Sequence, residues 1–410
     1  MNTKGSQQKA AAEKRWGDGR VKKNTNSNGF SYDLIVRPLR ILVLFVVARL
    51  VNDAIITSAY LAEGNPATCE KAVTVADADL SSLVAVPFPE ARPAGYIWLE
   101  GEPEFDPHSD LALEFPTEKV MLSDLGYHPD VIASKATPFA VSSPFRVLSS
   151  QGASTLLSIT RQLRNFSVSS QRIENMVRGG CYRSRWLRDL CTSKEIAAHM
   201  SAIYGIPVAP HPMVVQLGHL NFEPANLSAA VDKWHHDTLP LDFVMMVTDP
   251  AALAGGEFEW FHGTKDEAAA YAPLPPPAKR RVAPTFPGAG YAIALHGDMV
   301  VHRGAPLTQP GERITFVNGY VAMDTRVDEQ SRSRDLIGLD DPEVLYTEWA
   351  KYAAWRSAGR LQHLIADLDF TSDVEQVARR LQAAIADVQR AADEMRAGKP
   401  PRQAHYEVVQ

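Results

Sequence analysis

The spacing of apolar side chains divides the chain into a helical part, a β-rich part and a second helical part. Between residues 150 and 205 apolar residues recur at intervals of three and four, as in the stretches 173–177 and 193–204. This spacing predicts amphipathic helices. Thr192 and Ser193 are the candidate N-caps of the second stretch.

Short β-type runs separated by glycine and proline replace this pattern from about residue 211 to residue 323. No helical stretch interrupts them, which favours an antiparallel sandwich or a jelly roll. A proline-rich, basic segment at 272–287 divides the set, either as an exposed insertion near the barrel mouth or as a solvated linker. We therefore predict an α+β fold with a double-stranded β-helix (jelly-roll) core and helices on either side of it in sequence. The predicted strands cover residues 213–222, 241–248, 257–261, 290–295, 299–302 and 314–323.

Helical spacing returns after residue 340. Pro342 suits the first turn of a helix that extends to about Ala366. The sequence Ser372-Asp-Val-Glu375 has the pattern of a capping box, and the apolar residues behind it keep helical spacing to about Met395. Two C-terminal helices are therefore predicted.

The N-terminal region differs from the rest of the chain. The first 36 residues are polar and locally basic and lack the apolar side chains of a packed core, which predicts a disordered tail. An apolar run follows at 41–48, but Arg49 and Asp53 interrupt it before the roughly 20 residues that a membrane-spanning helix needs. We expect a packed helix. The alternatives are a membrane-associating or signal-anchor segment over residues 37–62, or an artefact of a misplaced start codon.

Residues 64–118 are rich in proline, glycine and acidic residues, which predicts irregular structure with one or two strands. Together these patterns predict six consecutive segments. They are a disordered basic tail (1–36), an apolar segment with an irregular region (37–118), a helical part (119–205), a jelly-roll core (206–325), C-terminal helices (326–396) and a tail (397–410).

Composition narrows the class of protein. The chain has 410 residues, of which 45% are hydrophobic and 22% charged, as in ordinary soluble globular proteins. A net charge of −6 gives no reason to expect a nucleic-acid partner. The three cysteines, Cys69, Cys181 and Cys191, show no CxxC spacing, which argues against a disulfide framework and fits a reducing compartment such as the cytoplasm. The oligomeric state stays open.

The candidate metal ligands begin in the sequence Trp234-His235-His236-Asp237. Side chains two positions apart in a strand point to the same face, so His235 and Asp237 can bind one ion while His236 faces away. The motif alone is weak evidence, because the chain has twelve histidines and a histidine near an aspartate is often a structural hydrogen-bonding pair.

His302 follows Asp237 by 65 residues and supplies a third candidate ligand at the end of the predicted strand 299–302. His296 is a competitor, but it precedes the turn at Gly297. The alternative interpretation of His302 is a half-buried strand histidine. Two imidazoles and one carboxylate form a facial set that suits Fe(II) and leaves coordination positions open.

Arg313 and Thr315 open the last β-type run and share one face of it. A guanidinium group can bind a carboxylate through two parallel hydrogen bonds, and a hydroxyl adds a third donor. The alternative is an ordinary surface arginine in a strand. The order and spacing of all four elements together distinguish the set from a chance match.

On these residues, the stretch from about 207 to 323 resembles the Fe(II)/2-oxoglutarate-dependent oxygenase superfamily. The pattern of that superfamily is His-x-Asp, a distal His, and Arg-x-Ser/Thr. Gly255-Gly256-Glu257-Phe258 is similar to a strand start common in it, and Trp234-His235-His236-Asp237 is similar to its phytanoyl-CoA-dioxygenase-like branch.

A narrower group of fungal and bacterial oxygenases is also similar, and some of its members oxidise small amino acids in natural-product pathways. The strand before the first ligand lacks the tyrosine that many relatives use to bind 2-oxoglutarate, and Gln216, His219 and Asn221 are candidate replacements. The pieces that carry this second resemblance are Pro210-His-Pro-Met213, Leu217-Gly-His-Leu-Asn221, Trp234-His-His-Asp237 and Glu312-Arg-Ile-Thr315.

The resemblance implies Fe(II) on His235, Asp237 and His302, 2-oxoglutarate on Arg313 and Thr315, and O2 as the second cosubstrate. The implied activity is oxidation of an unactivated C–H bond of a small molecule, with an amino acid among the candidates, and with succinate and CO2 as coproducts. Hydroxylation, desaturation and cyclisation all fit. The alternatives are a jelly-roll or cupin-like metalloenzyme that does not use 2-oxoglutarate, a peptide or protein hydroxylase, and a degenerate binding module.

Overall fold

The computed structural model describes residues 83–400. The predicted basic tail (1–36) and the apolar segment at 37–62 lie outside the described residues, as do residues 401–410. Within residues 83–400, no helix combines the length and the apolar character needed to cross a membrane.

Two antiparallel sheets form the centre of the described part of the chain, and helices precede and follow most of their strands, so the fold is α+β. The strands are β1 (Lys119–Met121), β2 (Phe139–Ser142), β3 (Phe145–Arg146), β4 (Met176–Val177), β5 (Val208–Pro210), β6 (His219–Phe222), β7 (Ala230–His235), β8 (Leu241–Met246), β9 (Phe258–Phe261), β10 (Arg281–Val282), β11 (Tyr291–His296), β12 (His302–Pro306) and β13 (Ile314–Ala322).

The larger sheet has the order β1-β2-β11-β8-β13-β6-β4, with β3 paired to β11 and β5 paired to β13. The smaller sheet has the order β10-β9-β12-β7. From β6 to β13 the chain alternates between the sheets: β6, β8, β11 and β13 belong to the larger one, and β7, β9, β10 and β12 to the smaller one. Neighbouring strands in space are therefore mostly distant in sequence.

Helices lie before and after this β-rich part. Ser193 caps the helix predicted at 193–204, and Thr192 instead ends the preceding helix. The helices are α1 (Pro107–Asp110), α2 (Pro129–Ala133), α3 (Ser150–Leu163), α4 (Arg185–Cys191), α5 (Lys194–Tyr204), α6 (Lys265–Ala269), α7 (Pro342–Asp367) and α8 (Val374–Ala397).

Burial explains why β8 is apolar at every position except Asp242. All six of its residues are buried, because one face packs on the smaller sheet and the other on the helices. Val244 shares a buried cluster with Phe258 and Trp260 of β9, whereas Phe243 shares one with Leu187 of α4. Each such side chain contributes about 1.5–3 kcal/mol when it is removed from water.

The predicted strands 241–248, 257–261, 290–295 and 314–323 are confirmed with their ends shifted by one or two residues. The prediction for 213–222 was partly wrong, because Val214–Gln216 forms a 3-10 turn and the strand begins only at His219. Between them Gly218 has a φ of +63° and lies where a Cβ would be 3.0 Å from Cys181 Sγ.

Three further predictions need correction. Residues 173–177 are not helical, since Met176 and Val177 form β4 against β6. The strand Ala230–His235 is absent from the predicted strand ranges, and it ends at His235, so Asp237 lies outside the strand that the alternation argument assumed. The predicted strand 299–302 is wrong: residues 297–299 form a turn, and the Met299 and Val300 N–H groups donate to the His296 carbonyl. His302 therefore begins its strand and does not end one.

The C-terminal helices match their prediction closely. The first begins at Pro342 and ends at Asp367, one residue beyond the predicted end. The second is capped by Asp373, whose carboxylate accepts from the Gln376 N–H at 3.0 Å, and not by Ser372. Within the predicted insertion 272–287, Arg281–Val282 forms the edge strand β10.

Candidate metal centre

Two strands of the smaller sheet position the candidate histidines. His235 is the last residue of β7 and His302 the first of β12, and the two face each other in the β7–β12 pairing. Their ring centroids are 4.3 Å apart. Asp237 lies two residues beyond the end of β7, where its N–H donates to the Gly297 carbonyl at 2.8 Å.

The three side chains bring their donor atoms together. One nitrogen of each histidine and one oxygen of Asp237 lie within 4.8 Å of one another, and within residues 83–400 this is the group of three metal-ligating side chains that the geometry gives. His235 Nε2 is 3.2 Å from Asp237 Oδ1, and His302 Nε2 is 3.4 Å from Asp237 Oδ2.

The outer nitrogen of each ring shows which atoms are available to a ligand. His235 Nδ1 donates to the Lys233 carbonyl at 2.6 Å, and His302 Nδ1 donates to the Val300 carbonyl at 2.9 Å. A carbonyl oxygen can only accept, so each Nδ1 carries a hydrogen, and Nε2 is the atom of each ring that faces Asp237. Burial, with the charge of Arg172, lowers the pKa of His235 well below its ordinary value, which favours the neutral ring.

The two Nε2 atoms and the Asp237 carboxylate can each present a lone pair to one cation, which would replace the hydrogen bond of 3.2 Å between His235 Nε2 and Asp237 Oδ1. This chemistry fits a metal ion, because metal-bound histidines typically fix their tautomer through a hydrogen bond from the other ring nitrogen. Two neutral imidazoles and one carboxylate also match the facial set used by non-haem Fe(II).

His236 lies outside this group, as predicted, although the strand itself ends at His235. Its Nδ1 is 3.4 Å from Asp298 Oδ1 and accepts from Arg332 Nη2 at 2.9 Å. The same guanidinium donates to the main-chain carbonyl of Asp237. His236 therefore belongs to a buried polar network beneath the loop that carries Asp237.

Asp242 was missed by the sequence analysis. It is fully buried in β8, and burial together with the charge of Asp237 raises the pKa of its carboxyl well above the usual range. A Cβ on Gly297 would lie 2.3 Å from Asp242 Oδ2 and 2.9 Å from Asp237 Oδ2, so only glycine fits between them. One acidic residue within an otherwise apolar run was the available sequence signal.

Arg313 is fully buried, and its setting explains the Gly-Gly sequence noted above. Its Nε donates to the Gly256 carbonyl at 2.6 Å. Gly256 has a φ of +76°, and a Cβ there would lie 2.9 Å from Arg313 Cδ. Burial lowers the pKa of Arg313 to about 10, so the group stays charged near neutral pH. Among the described residues, no carboxylate forms an ion pair with it within 4 Å, although Asp232 and Glu257 act on it at longer range.

Thr315 and Asn221 lie beside Arg313. Arg313 Nη1 donates to Thr315 Oγ1 at 3.4 Å, and Thr315 faces Asn221 in the pairing of β13 with β6. Arg178 donates to His219 Nδ1 at 3.0 Å, and His219 Nε2 in turn donates to Asn221 Oδ1. Burial, with the charge of Arg178, lowers the pKa of His219 to about 3, consistent with a neutral ring.

One cavity of about 1460 Å³ is lined by residues of both sheets and of the loops beside them. The three candidate ligands line it, as do Arg313 and Thr315, together with Gln216, His219 and Asn221. Val244 and Phe258 add apolar surface from the two facing sheets. The structure thus brings together every site residue that the sequence analysis selected.

No protein-family model matches the chain, and no curated protein matches it. Solved structures are similar to it. The non-haem α-ketoglutarate-dependent epimerase SnoN from nogalamycin biosynthesis is 18% identical, over 45% of this chain and 78% of that chain, with a TM-score of 0.34. The α-ketoglutarate-dependent carbocyclase SnoK from the same biosynthesis is 14% identical, over 50% and 88%, with a TM-score of 0.36. HygX from Streptomyces hygroscopicus, with nickel and 2-oxoglutarate bound, is 11% identical, over 47% and 85%, with a TM-score of 0.35.

Proposed function

We propose that this protein is an Fe(II)- and 2-oxoglutarate-dependent oxygenase that oxidises an unactivated C–H bond of a small molecule. The proposal includes a double-stranded β-helix as its core, supported by the alternation of β6 to β13 between two antiparallel sheets. The observation that carries it is the pairing of a two-histidine, one-carboxylate group with a buried, charged arginine in the same cavity.

The chain's own residues would hold the metal in a fixed orientation. His235 and His302 would bind through Nε2, because their Nδ1 hydrogens are already donated to main-chain carbonyls. Asp237 would supply the third ligand and part of the charge balance. Iron bound there would supply the oxidising chemistry, in which O2 and 2-oxoglutarate convert R–H into R–OH, succinate and CO2.

Arg313 is suited to orient the distal carboxylate of 2-oxoglutarate. A charge that is buried without a close ion-pair partner is costly, and a carboxylate ligand would offset that cost. The Thr315 hydroxyl can add a donor from the same face of β13. Since Asn221 Oδ1 already accepts from His219, the Nδ2 hydrogens of Asn221 remain for a ligand oxygen, which makes Asn221 the preferred replacement for the missing tyrosine.

The size of the cavity bears on the substrate. Pockets for drug-sized ligands typically measure roughly 300–1,000 Å³, and this cavity of about 1460 Å³ is larger. 2-Oxoglutarate and a free amino acid together would leave much of it unfilled. We therefore favour a bulkier polar small molecule over a free amino acid, while the position oxidised stays open.

The test is anaerobic titration of the purified chain with Fe(II) and then 2-oxoglutarate, followed by measurement of succinate formed after O2 is admitted. Slow succinate release without substrate, and faster release with members of a small-molecule library, are expected. His302→Ala should abolish iron binding and turnover, and His236→Ala is the matched control that should keep both. Iron binding without any 2-oxoglutarate binding or succinate would favour a metalloenzyme of another type.

A further inference from the structure

The last helix, α8, exposes its large apolar side chains. Val374 is 74% exposed, Leu381 49%, Ile385 46% and Val388 37%. An amphipathic helix normally turns such a face to the core. Phe370, in the turn just before α8, is also fully exposed.

The face that α8 packs against α7 is small and polar instead. Its buried residues are Ala384, Asp387 and Ala391. Asp387 accepts from Arg356 Nε at 3.2 Å and forms an ion pair with Arg360 Nε at 3.2 Å. This ionic face holds the helical hairpin together. On the apolar face Met395, near the C-terminal end, packs against the core, whereas Leu381, Ile385 and Val388 are exposed.

The exposed face repeats with the period of a coiled coil. Its residues alternate at intervals of four and three along the whole helix, which is the a/d spacing of three heptads. With 24 residues, α8 is about 36 Å long at 1.5 Å per residue. The apolar stripe consists of the exposed residues Val374, Leu381, Ile385 and Val388 and the partly buried residues Ala378, Ala392 and Met395.

The polar residues beside this apolar stripe indicate what covers it. Glu375 flanks its N-terminal end, Arg396 its C-terminal end, and Gln382 and Gln389 lie between them. An antiparallel second copy would place Glu375 opposite Arg396 of that copy, and Gln382 opposite Gln389. A parallel copy would gather like charges at each end. Flanking charges of this kind set partner choice and orientation more than affinity.

We propose that α8 is a self-association surface, on which two copies of this chain pair antiparallel along the apolar stripe. The inference is independent of the metal chemistry, because it rests on the exposure, spacing and charge of residues in α8. Pairing along the apolar stripe would bury half-exposed leucine, isoleucine and valine side chains from both copies.

The test is sedimentation equilibrium of the full 410-residue chain over a range of concentrations. A reversible dimer is expected, and Leu381→Glu should weaken it at least about tenfold, since each 1.4 kcal/mol lost corresponds to a factor of ten. Ala383→Glu is the matched control, because it adds the same charge at an exposed position of α8 that lies off the apolar stripe. Unfolding curves should show that both variants remain folded.

Charge reversal tests the antiparallel arrangement. Glu375→Arg alone and Arg396→Glu alone should each weaken the dimer, and the double variant should restore it. A dimer that withstands Leu381→Glu, or a double variant that stays as weak as the singles, would overturn the proposal. A full chain that is monomeric at all concentrations would also overturn it. In that case, a loss of monomer stability in Leu381→Glu would indicate that another segment of the same chain covers the apolar stripe.

Discussion

Replacement of Arg313 by methionine tests the proposed cosubstrate site most directly. Methionine keeps an unbranched apolar stem and removes the charge and all five N–H donors. The structure places this guanidinium in the cavity beside Thr315, fully buried and with Nε held by the Gly256 carbonyl. Only the terminal nitrogens therefore remain for a ligand.

The magnitude follows from what those nitrogens can do. Two charge-assisted hydrogen bonds to a carboxylate contribute about 1.5–3 kcal/mol each, and removal of one partner from a buried pair costs about 3–5 kcal/mol. At 1.4 kcal/mol per factor of ten, 2-oxoglutarate should bind about a hundredfold to a few thousandfold more weakly. The affinity of Arg313→Lys for 2-oxoglutarate should lie between those of the native chain and Arg313→Met, because lysine keeps the charge but lacks the planar fork.

The assay is anaerobic calorimetry of 2-oxoglutarate binding to the Fe(II)-loaded chain. Fe(II) affinity should not change, since Arg313 is not among the three candidate ligands. Arg303→Met is a matched control, because Arg303 also lines the cavity but already pairs with Glu259 at 2.6 Å. If Arg313→Met bound 2-oxoglutarate within threefold of the native chain, the assignment of Arg313 would be refuted.

Three other predictions test parts of the same account. His236→Ala should leave Fe(II) affinity nearly unchanged in the titration above. Gly256→Ala should lower the free energy of unfolding in urea by about 1–3 kcal/mol, because its φ is positive and a Cβ there would be 2.9 Å from Arg313 Cδ; 2-oxoglutarate should also bind more weakly. Burial raises the pKa of Glu348 to about 7 from 4.5, so the native state holds the extra proton and stability should fall as pH rises between these values. The expected loss is about 3 kcal/mol, at 1.36 kcal/mol for each unit of pKa shift. It can be measured by comparing the free energy of unfolding in urea at about pH 5 and about pH 8, and Glu348→Gln should remove the difference.

The sequence predicted the strands well where they are buried along most of their length. β8 and β13 were found from continuous β-type runs, because both lie inside the larger sheet and are buried along most of their length. The five residues 173–177 were assigned to a helix because so short a stretch fits either period. Their pairing with β6 is a contact distant in sequence that periodicity cannot reveal.

The α8 helix shows a second limit of periodicity. Its spacing correctly predicted a helix, and it also shows which residues share one face. Spacing does not tell which face another element covers, and here the ionic contacts of Asp387 decide this. The apolar side that would normally be assigned to the core is consequently exposed.

The candidate ligands were predictable because the donor types and their spacing are visible in the sequence. Strand alternation selected His235 over His236, although the strand proved to end at His235, so alternation does not explain the direction of Asp237. The surrounding residues were not predictable in this way. Asn221 could be distinguished from His219 and Gln216 only after the hydrogen bond between His219 and Asn221 was known.

The proposed metal site extends beyond the β-rich segment that carries its ligands. After β13 the chain returns beneath the site, where the Arg332 N–H donates to the Thr238 carbonyl at 2.7 Å and the Arg332 side chain donates to the Asp237 carbonyl. Helix α7 holds this returning segment through Arg356 Nη1, which donates to the Glu329 carbonyl at 2.9 Å. The position of the candidate ligand Asp237 therefore depends on contacts with residues beyond the predicted division at residue 325, and through them on helix α7.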